Sequence, residues 1–221
     1  LCLWASVRRA LLVSAISVVV ALVLAVVLNK VSFRWRFLCL LLFTLPFLAS
    51  DVGRAFALRV FLGRQGSVNQ VLMHLGVISE PLDWLLFSEF AVGAGQFVNV
   101  FPFTLFILTL AVQDINPRLH QVAQELRVEG FYLFRKLTLP LCLNAIVGSF
   151  MIAFALGLGA MVEDSFLSSA PCSISQTIIS LWQTSRFELA AATSLLVWLV
   201  SLSLLLCTLV VVRRSPNWFR R

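Results

Sequence analysis

Three carboxylates and one tryptophan have the chemistry to handle a charged solute in an otherwise apolar chain: Asp51, Glu163, Asp164 and Trp182. Ionised carboxylates pair with cations, and an aromatic face adds about 0.5–2 kcal/mol of cation–π attraction. Asp51 lies within a run of apolar, helix-compatible residues, where a charge is costly enough to suggest function. Two readings stay open for it: an i,i+3 ion pair with Arg54 on one helix, or a carboxylate facing a path for a cation. Glu163 and Asp164 stand side by side just beyond another apolar run, as a solvated loop or as the rim of such a path. Nothing else suggests catalysis, since the chain lacks the patterns GxxxxGK[ST], GxSxG and HExxH. Cys2, Cys39, Cys142, Cys172 and Cys207 are scattered without metal-ligand spacing, and His74 and His120 stand alone, so no metal site is expected.

The elements that position these residues follow from composition. Of 221 residues, 60% are hydrophobic and 12% charged, against about half and about a quarter in a soluble domain. A soluble enzyme, a disordered chain and a nucleic-acid-binding chain are thereby excluded, and no nucleic-acid partner is expected. The net charge of +7 fits the Lys and Arg that gather in cytoplasmic loops of helical membrane proteins. Apolar stretches of spanning length fall at about 10–28, 37–62, 90–112, 140–162 and 189–212. Helix is the only state in which a lone segment satisfies its own backbone in lipid. The expected fold is all-α: a polytopic helical membrane bundle forming one transmembrane domain over 1–221. Asn99 and Pro102 predict a kink or an unwound turn in the third span. Ala91 with Gly95, Ala153 with Gly157, and Ala155 with Gly159 have the spacing that lets helices approach closely.

Charge selects the orientation. With segments 29–36, 113–139 and 213–221 in the cytoplasm, eleven of the seventeen Lys and Arg residues lie there with three acids. The other side keeps six basic and seven acidic residues, and the positive-inside rule favours this arrangement. It puts residues 1–9 outside, and because the chain begins at Leu1 an earlier, sixth span is expected in the native protein. A variant keeping only Cys172 should react with a membrane-impermeant thiol reagent on intact cells; labelling only from the cytoplasmic face would reverse the topology.

Segment 113–139 is longer than a hairpin between spans requires. Within it, residues 120–129 read as a short amphipathic helix started by Asn116-Pro117 and broken by Gly130. A second short helix over 131–138 leads through Leu139-Pro140 into the fourth span. Gln121-Val122-Ala123-Gln124-Glu125-Leu126-Arg127, then Phe134-Arg135-Lys136-Leu137-Thr138-Leu139-Pro140, resembles the EAA loop of type I ABC importer permeases. That pattern is E-A-A-x-x-x-G and, about a dozen residues later, F-x-x-x-x-L-P. Gln121 replaces the family's Glu and Arg127 its Gly, although Gly130 could supply the turn. Leu62-Gly63-Arg64-Gln65-Gly66-Ser67-Val68-Asn69-Gln70, with Leu75-Gly76 and Pro81-Leu82, is similar to the external segment of spermidine/putrescine permeases. Permeases for ferric iron, thiamine or aminoethylphosphonate share parts of these secondary motifs.

The resemblance implies a multi-pass permease subunit of a bacterial inner membrane, not itself an enzyme. Its implied partners are a second permease, an ATPase dimer and an extracytoplasmic substrate-binding protein. ATP and magnesium would be bound by the ATPase, leaving no cofactor in this chain. Gln121, Val122, Ala123, Glu125, Leu126, Arg127, Gly130, Phe134, Leu139 and Pro140 would form the coupling segment. Asp51, Glu163, Asp164 and Trp182 would line the path of a polyamine. A channel or secondary transporter fits less well, because a passive pore needs no docking loop and hydropathy shows no inverted repeat.

Overall fold

Runs of Val, Leu and Ala with no water to bond close their backbone hydrogen bonds internally, and the computed structural model shows them as helices. It describes residues 2–115, 119, 131–168 and 173–214. The main elements are α1 (Cys2–Asn29), α2 (Phe33–Leu48), α3 (Asp51–Leu62), α4 (Ser67–His74), α5 (Glu89–Gln113), α6 (Leu143–Leu158), α7 (Met161–Leu167), α8 (Ile174–Gln183) and α9 (Phe187–Arg214). No strand occurs among the described residues. Among the described residues, three helices are long and apolar enough to cross a bilayer, and two bent pairs raise this to five if each forms one span. The expected number of spans is thus available.

The bundle centre is α1, α5 and α6. On α1, Ala10, Ser14, Ser17, Ala21, Ala25 and Leu28 are all buried and recur every three or four residues, so they form one stripe. Five of the six are small, and that lets neighbouring backbones approach. A Cβ on Gly157 would sit 3.4 Å from the Ala10 Cβ, and Ala153 is fully buried on the same helix. Ala91 and Gly95 are likewise buried, so two of the three small-residue pairs sit at helix contacts. Ala155 and Gly159 are exposed. Larger residues fill the rest: Leu22, Phe101, Leu105, Leu108 and Val112 share one core cluster. α2 lies against α5 through edge-to-face pairs of Phe43 with Phe101 and Phe47 with Phe103, at centroid distances of 5.5 and 4.7 Å. α9 keeps most of its apolar residues exposed, as a helix bathed in lipid would.

Two expectations need correction and a third is narrowed. The segment 37–62 is not one helix: α2 ends at Leu48, Ala49 and Ser50 are extended, and α3 starts at Asp51. The Ser50 hydroxyl accepts from the Gly53 N–H at 3.2 Å, a cap that starts a new helix. The chain bends by 100° between Phe33–Leu48 and Asp51–His74, the latter comprising α3 and α4. The segment 140–162 is also divided, because α6 runs Leu143–Leu158 after a 59° bend from Phe134–Leu141, and α7 follows separately. Of the two readings for the third span, a kink or an unwound turn, the unwound turn does not form: α5 stays one helix through Asn99 and Pro102. Buried neighbours at Val100, Phe101 and Pro102 hold it in register despite the missing N–H donor.

The motif over residues 62–82 has a physical explanation. Asn69 is fully buried; its side-chain amide donates to the Gly63 carbonyl at 3.1 Å and accepts from the Leu82 N–H at 2.9 Å. One side chain thus ties both ends of the segment together. Gly66 is required by close approach, since a Cβ there would lie 2.3 Å from the Phe61 carbonyl oxygen.

Candidate functional site

α7 is two turns long and packs against α3, α5 and α8. Gly95 makes room for it: a Cβ there would fall 2.8 Å from a Leu167 methyl and 2.9 Å from the Glu163 Cγ. Glu163 and Asp164 are therefore not a solvated loop. They retain only 4% and 2% of their accessible surface, and each joins a separate polar cluster.

Asp164 meets Arg9 of α1 across 155 residues of sequence, with Nη2 donating to Oδ1 at 2.7 Å. The other guanidinium nitrogen, Nη1, donates to Glu89 at the start of α5 at 3.3 Å. The Ser173 hydroxyl donates to the second Asp164 oxygen, and the Gln176 amide donates to its backbone carbonyl at 2.8 Å. Nearby, the Ile174 N–H donates to the Ser6 hydroxyl at 3.2 Å. One carboxylate so joins α1, α7 and the start of α8.

Glu163 accepts from the Asn99 amide at 3.2 Å, and the Asn99 carbonyl oxygen accepts from Arg54 at 3.1 Å. Arg54 also donates to Asp51, so the i,i+3 pair forms. The remaining Arg54 contacts reach the carbonyls of Pro46, Phe47 and Ala49 at 3.3–3.5 Å. These carbonyls lie at the end of α2, where intrahelical donors run out; Pro46 also accepts from the Ala49 N–H at 3.3 Å, and Nη1 of Arg54 reaches all three where the chain turns. Its carbon also lies 5.5 Å from the centre of the Phe47 ring.

α7 lies outside the candidate spans. Burial raises the Glu163 carboxyl pKa above its ordinary value, with Asp51 and Asp164 adding to the rise and Arg54 opposing it. Burial also raises that of Asp164, against the Ser173 hydrogen bond and Arg9. Two buried acids thus lie beside two arginines from different helices, Asp164 paired directly with Arg9 and Glu163 linked to Arg54 through Asn99.

Of the expected path residues, Asp51, Glu163 and Asp164 are brought into this region and Trp182 is not. Trp182 is 65% exposed and packs edge-to-face on Phe187 at 5.0 Å, as an interfacial tryptophan would. Arg9, Asn99 and Ser173 complete the clusters and were not among the expected site residues. The available signal for Arg9 was a charge continuing the helical period of the first span. In the coupling segment, Gln121, Val122, Ala123, Glu125, Leu126, Arg127 and Gly130 lie outside the described residues. Phe134 opens a π-helical turn, Phe134–Thr138, and packs against the central core. Leu139 and Pro140 follow, half-buried, just before the bend into α6. Such turns commonly mark functional places in helices.

A model of the family described as binding-protein-dependent transport system inner membrane component matches residues 14–219. The spermidine/putrescine transport system permease protein PotB of Haemophilus influenzae is 27% identical over 76% of this chain and 58% of its own length. Its Escherichia coli counterpart is 25% identical over 75% of this chain and 60% of its own. The chain thus spans about three fifths of these relatives. The molybdenum transport system permease protein ModB of Escherichia coli is 26% identical over 99% of this chain and 93% of its own length. The fold matches a bacterial ABC transporter involved in import of the acidic polysaccharide alginate, with a TM-score of 0.70 and 21% identity, over 98% of this chain and 80% of that one. A structure of the bacterial alginate ABC transporter, in complex with an alginate pentasaccharide-bound periplasmic protein, gives 0.71 at 21% identity over 92% and 76%.

Proposed function

The chain belongs to the family of binding-protein-dependent transport system inner membrane components, and from that premise we propose that it is the permease subunit of an ATP-driven importer. The observation that carries this reading is the family match over 14–219, which includes the EAA-like segment 121–140. The bundle forms part of the path, within one transmembrane domain spanning 1–221. A second permease completes the path, an ATPase dimer binds ATP and magnesium, and an extracytoplasmic binding protein delivers the solute. ATP binding closes the ATPases and pulls on the coupling segment, which tilts a bundle having two orientations. The ATP state and the loaded binding protein must favour different orientations for transport to be coupled.

A polyamine is the proposed solute, supported by the external motif and the likeness to spermidine/putrescine permeases. A molybdenum oxyanion is the second reading. The chain-long likeness to ModB favours it, as does the engagement of Asp51 and Asp164 by arginines, which leaves those acids less available to a cation. Uptake of labelled spermidine, putrescine and molybdate by cells making the complete complex separates the two. Polyamine uptake supports the first reading, molybdate uptake replaces it with the second, and transport of none removes both.

The coupling role has its own test. Ala123→Asp puts a charge into the proposed contact with the ATPase, where an unpaired buried charge costs several kcal/mol. Substrate-stimulated ATP hydrolysis by the complex is expected to fall at least tenfold while membrane insertion is unchanged. Normal stimulation would take the segment out of the mechanism.

A further inference from the structure

The lateral face between α1 and α5 carries a cavity of about 570 Å³ that the two charged clusters do not fill. Its walls are apolar and include Leu12, Ile16 and Phe97, and small Gly93 forms part of its floor. Leu12 and Ile16 are more than half exposed, so the cavity opens sideways as a groove. At its upper end stand Arg8, Arg9 and Glu89. Arg8 and the Glu89 carboxylate are exposed. Arg9 keeps only 7% of its surface, and its Nε–H has no acceptor among the described residues.

Depth in the membrane identifies what such a groove fits. Arg8 is twenty-one residues before Asn29, the last residue of α1, or about 32 Å at 1.5 Å per residue. That is about the thickness of the hydrocarbon layer, so Arg8 lies at one interface when Asn29 lies at the other. Trp84, 59% exposed, stacks edge-to-face on Phe90 of the groove at 5.9 Å, and interfaces are where tryptophans collect. From Arg8 to Ile16 the groove descends about 12 Å into the apolar layer.

We propose that this groove is a binding site for a zwitterionic phospholipid with a primary ammonium headgroup, of the phosphatidylethanolamine type. Phosphate oxygens accept from the exposed Arg8, the ammonium donates to Glu89, and one acyl chain lies along Leu12, Ile16 and Phe97. A cation and an anion at the rim match a zwitterion: Glu89 reaches Arg9 on one side at 3.3 Å and keeps 61% of its side-chain surface exposed for an ammonium, whereas a headgroup with phosphate alone brings only repulsion to it. The site depends on membrane placement and not on which solute is carried.

Native mass spectrometry of the complex, extracted in mild detergent and offered phosphatidylethanolamine or phosphatidylglycerol, tests this. The wild type should hold the ethanolamine lipid with at least fivefold preference. Glu89→Gln should reduce that preference to within twofold. Ile16→Trp fills the groove from an exposed position and should lower occupancy by either lipid at least tenfold; Gly93→Leu serves if Ile16→Trp yields no folded complex. Equal retention of both lipids by the wild type, or undiminished occupancy in the filled variants, overturns the proposal. So does a photocrosslinker at Leu12 that captures a helix of another subunit instead of lipid.

Discussion

Replacing Arg9 by Leu is expected to cost about 3–5 kcal/mol of stability, because it leaves the Asp164 carboxylate buried without its counter-ion. The site offers little relief. Asp164 retains 2% of its surface, and the Ser173 hydroxyl is its other side-chain partner. The loss should depend on pH with a definite sign. Burial already raises the Asp164 pKa, and removing Arg9 raises it further, so the folded variant holds its proton longer than the unfolded chain does. Stability of the variant is then greatest below the unfolded carboxylate value of about 4 and falls as pH rises from there toward neutrality. The double variant Arg9→Leu/Asp164→Leu should recover much of the loss, since exchange of a whole buried pair for apolar groups is often nearly neutral. Thermal unfolding in detergent across pH, read as a double-mutant cycle, measures both effects. A single variant as stable as wild type at neutral pH would mean that the pair does not hold α7 to α1.

Arg54→Leu is the second large effect, expected at about 2–5 kcal/mol. It removes a donor from three carbonyls at the end of α2, from Asp51 and from the side-chain oxygen of Asn99, whose amide keeps its bond to Glu163. Asp51 keeps 63% of its side-chain surface exposed, so its part of the cost is small, and most comes from the carbonyls and Asn99. Arg54→Lys should recover only part, because an ammonium cannot present the guanidinium fork to several acceptors at once. Spin labels at the exposed positions Leu42 and Val60 would report the angle between α2 and α3. The expected result is a single narrow distance distribution in wild type and a broad one in Arg54→Leu. An unchanged distribution would assign the bend to Ser50 and the backbone alone.

Much of the fold was legible because lipid imposes one rule on every segment. Hydropathy located three stretches that are single spanning helices among the described residues and two that are bent helix pairs, since only helices satisfy the backbone there. It could not locate the 100° bend between Phe33–Leu48 and Asp51–His74, because a turn stabilised by side chains leaves the apolar count unchanged. Ser50-Asp51, a capping residue followed by an acid, was the local signal that a helix starts there. Glu163 and Asp164 were legible as unusual but not as buried. Their partners Arg9 and Asn99 lie 155 and 64 residues away in sequence, and pairing over that distance leaves no mark in local spacing. Asn99 and Pro102 suggested a kink or an unwound turn in α5; the helix is not unwound there, and Asn99 spends its polar groups on Arg54 and Glu163. The Asp51–Arg54 pair was readable because both residues lie on one turn.

Reconstitution of the complete complex into liposomes tests the central claim most directly. With ATP enclosed and the binding protein and labelled solute outside, uptake should require ATP, binding protein and this chain together, and removing any one should abolish it. Accumulation that continues without ATP and binding protein, driven by an ion gradient alone, would contradict the assignment of this chain to an ATP-driven importer.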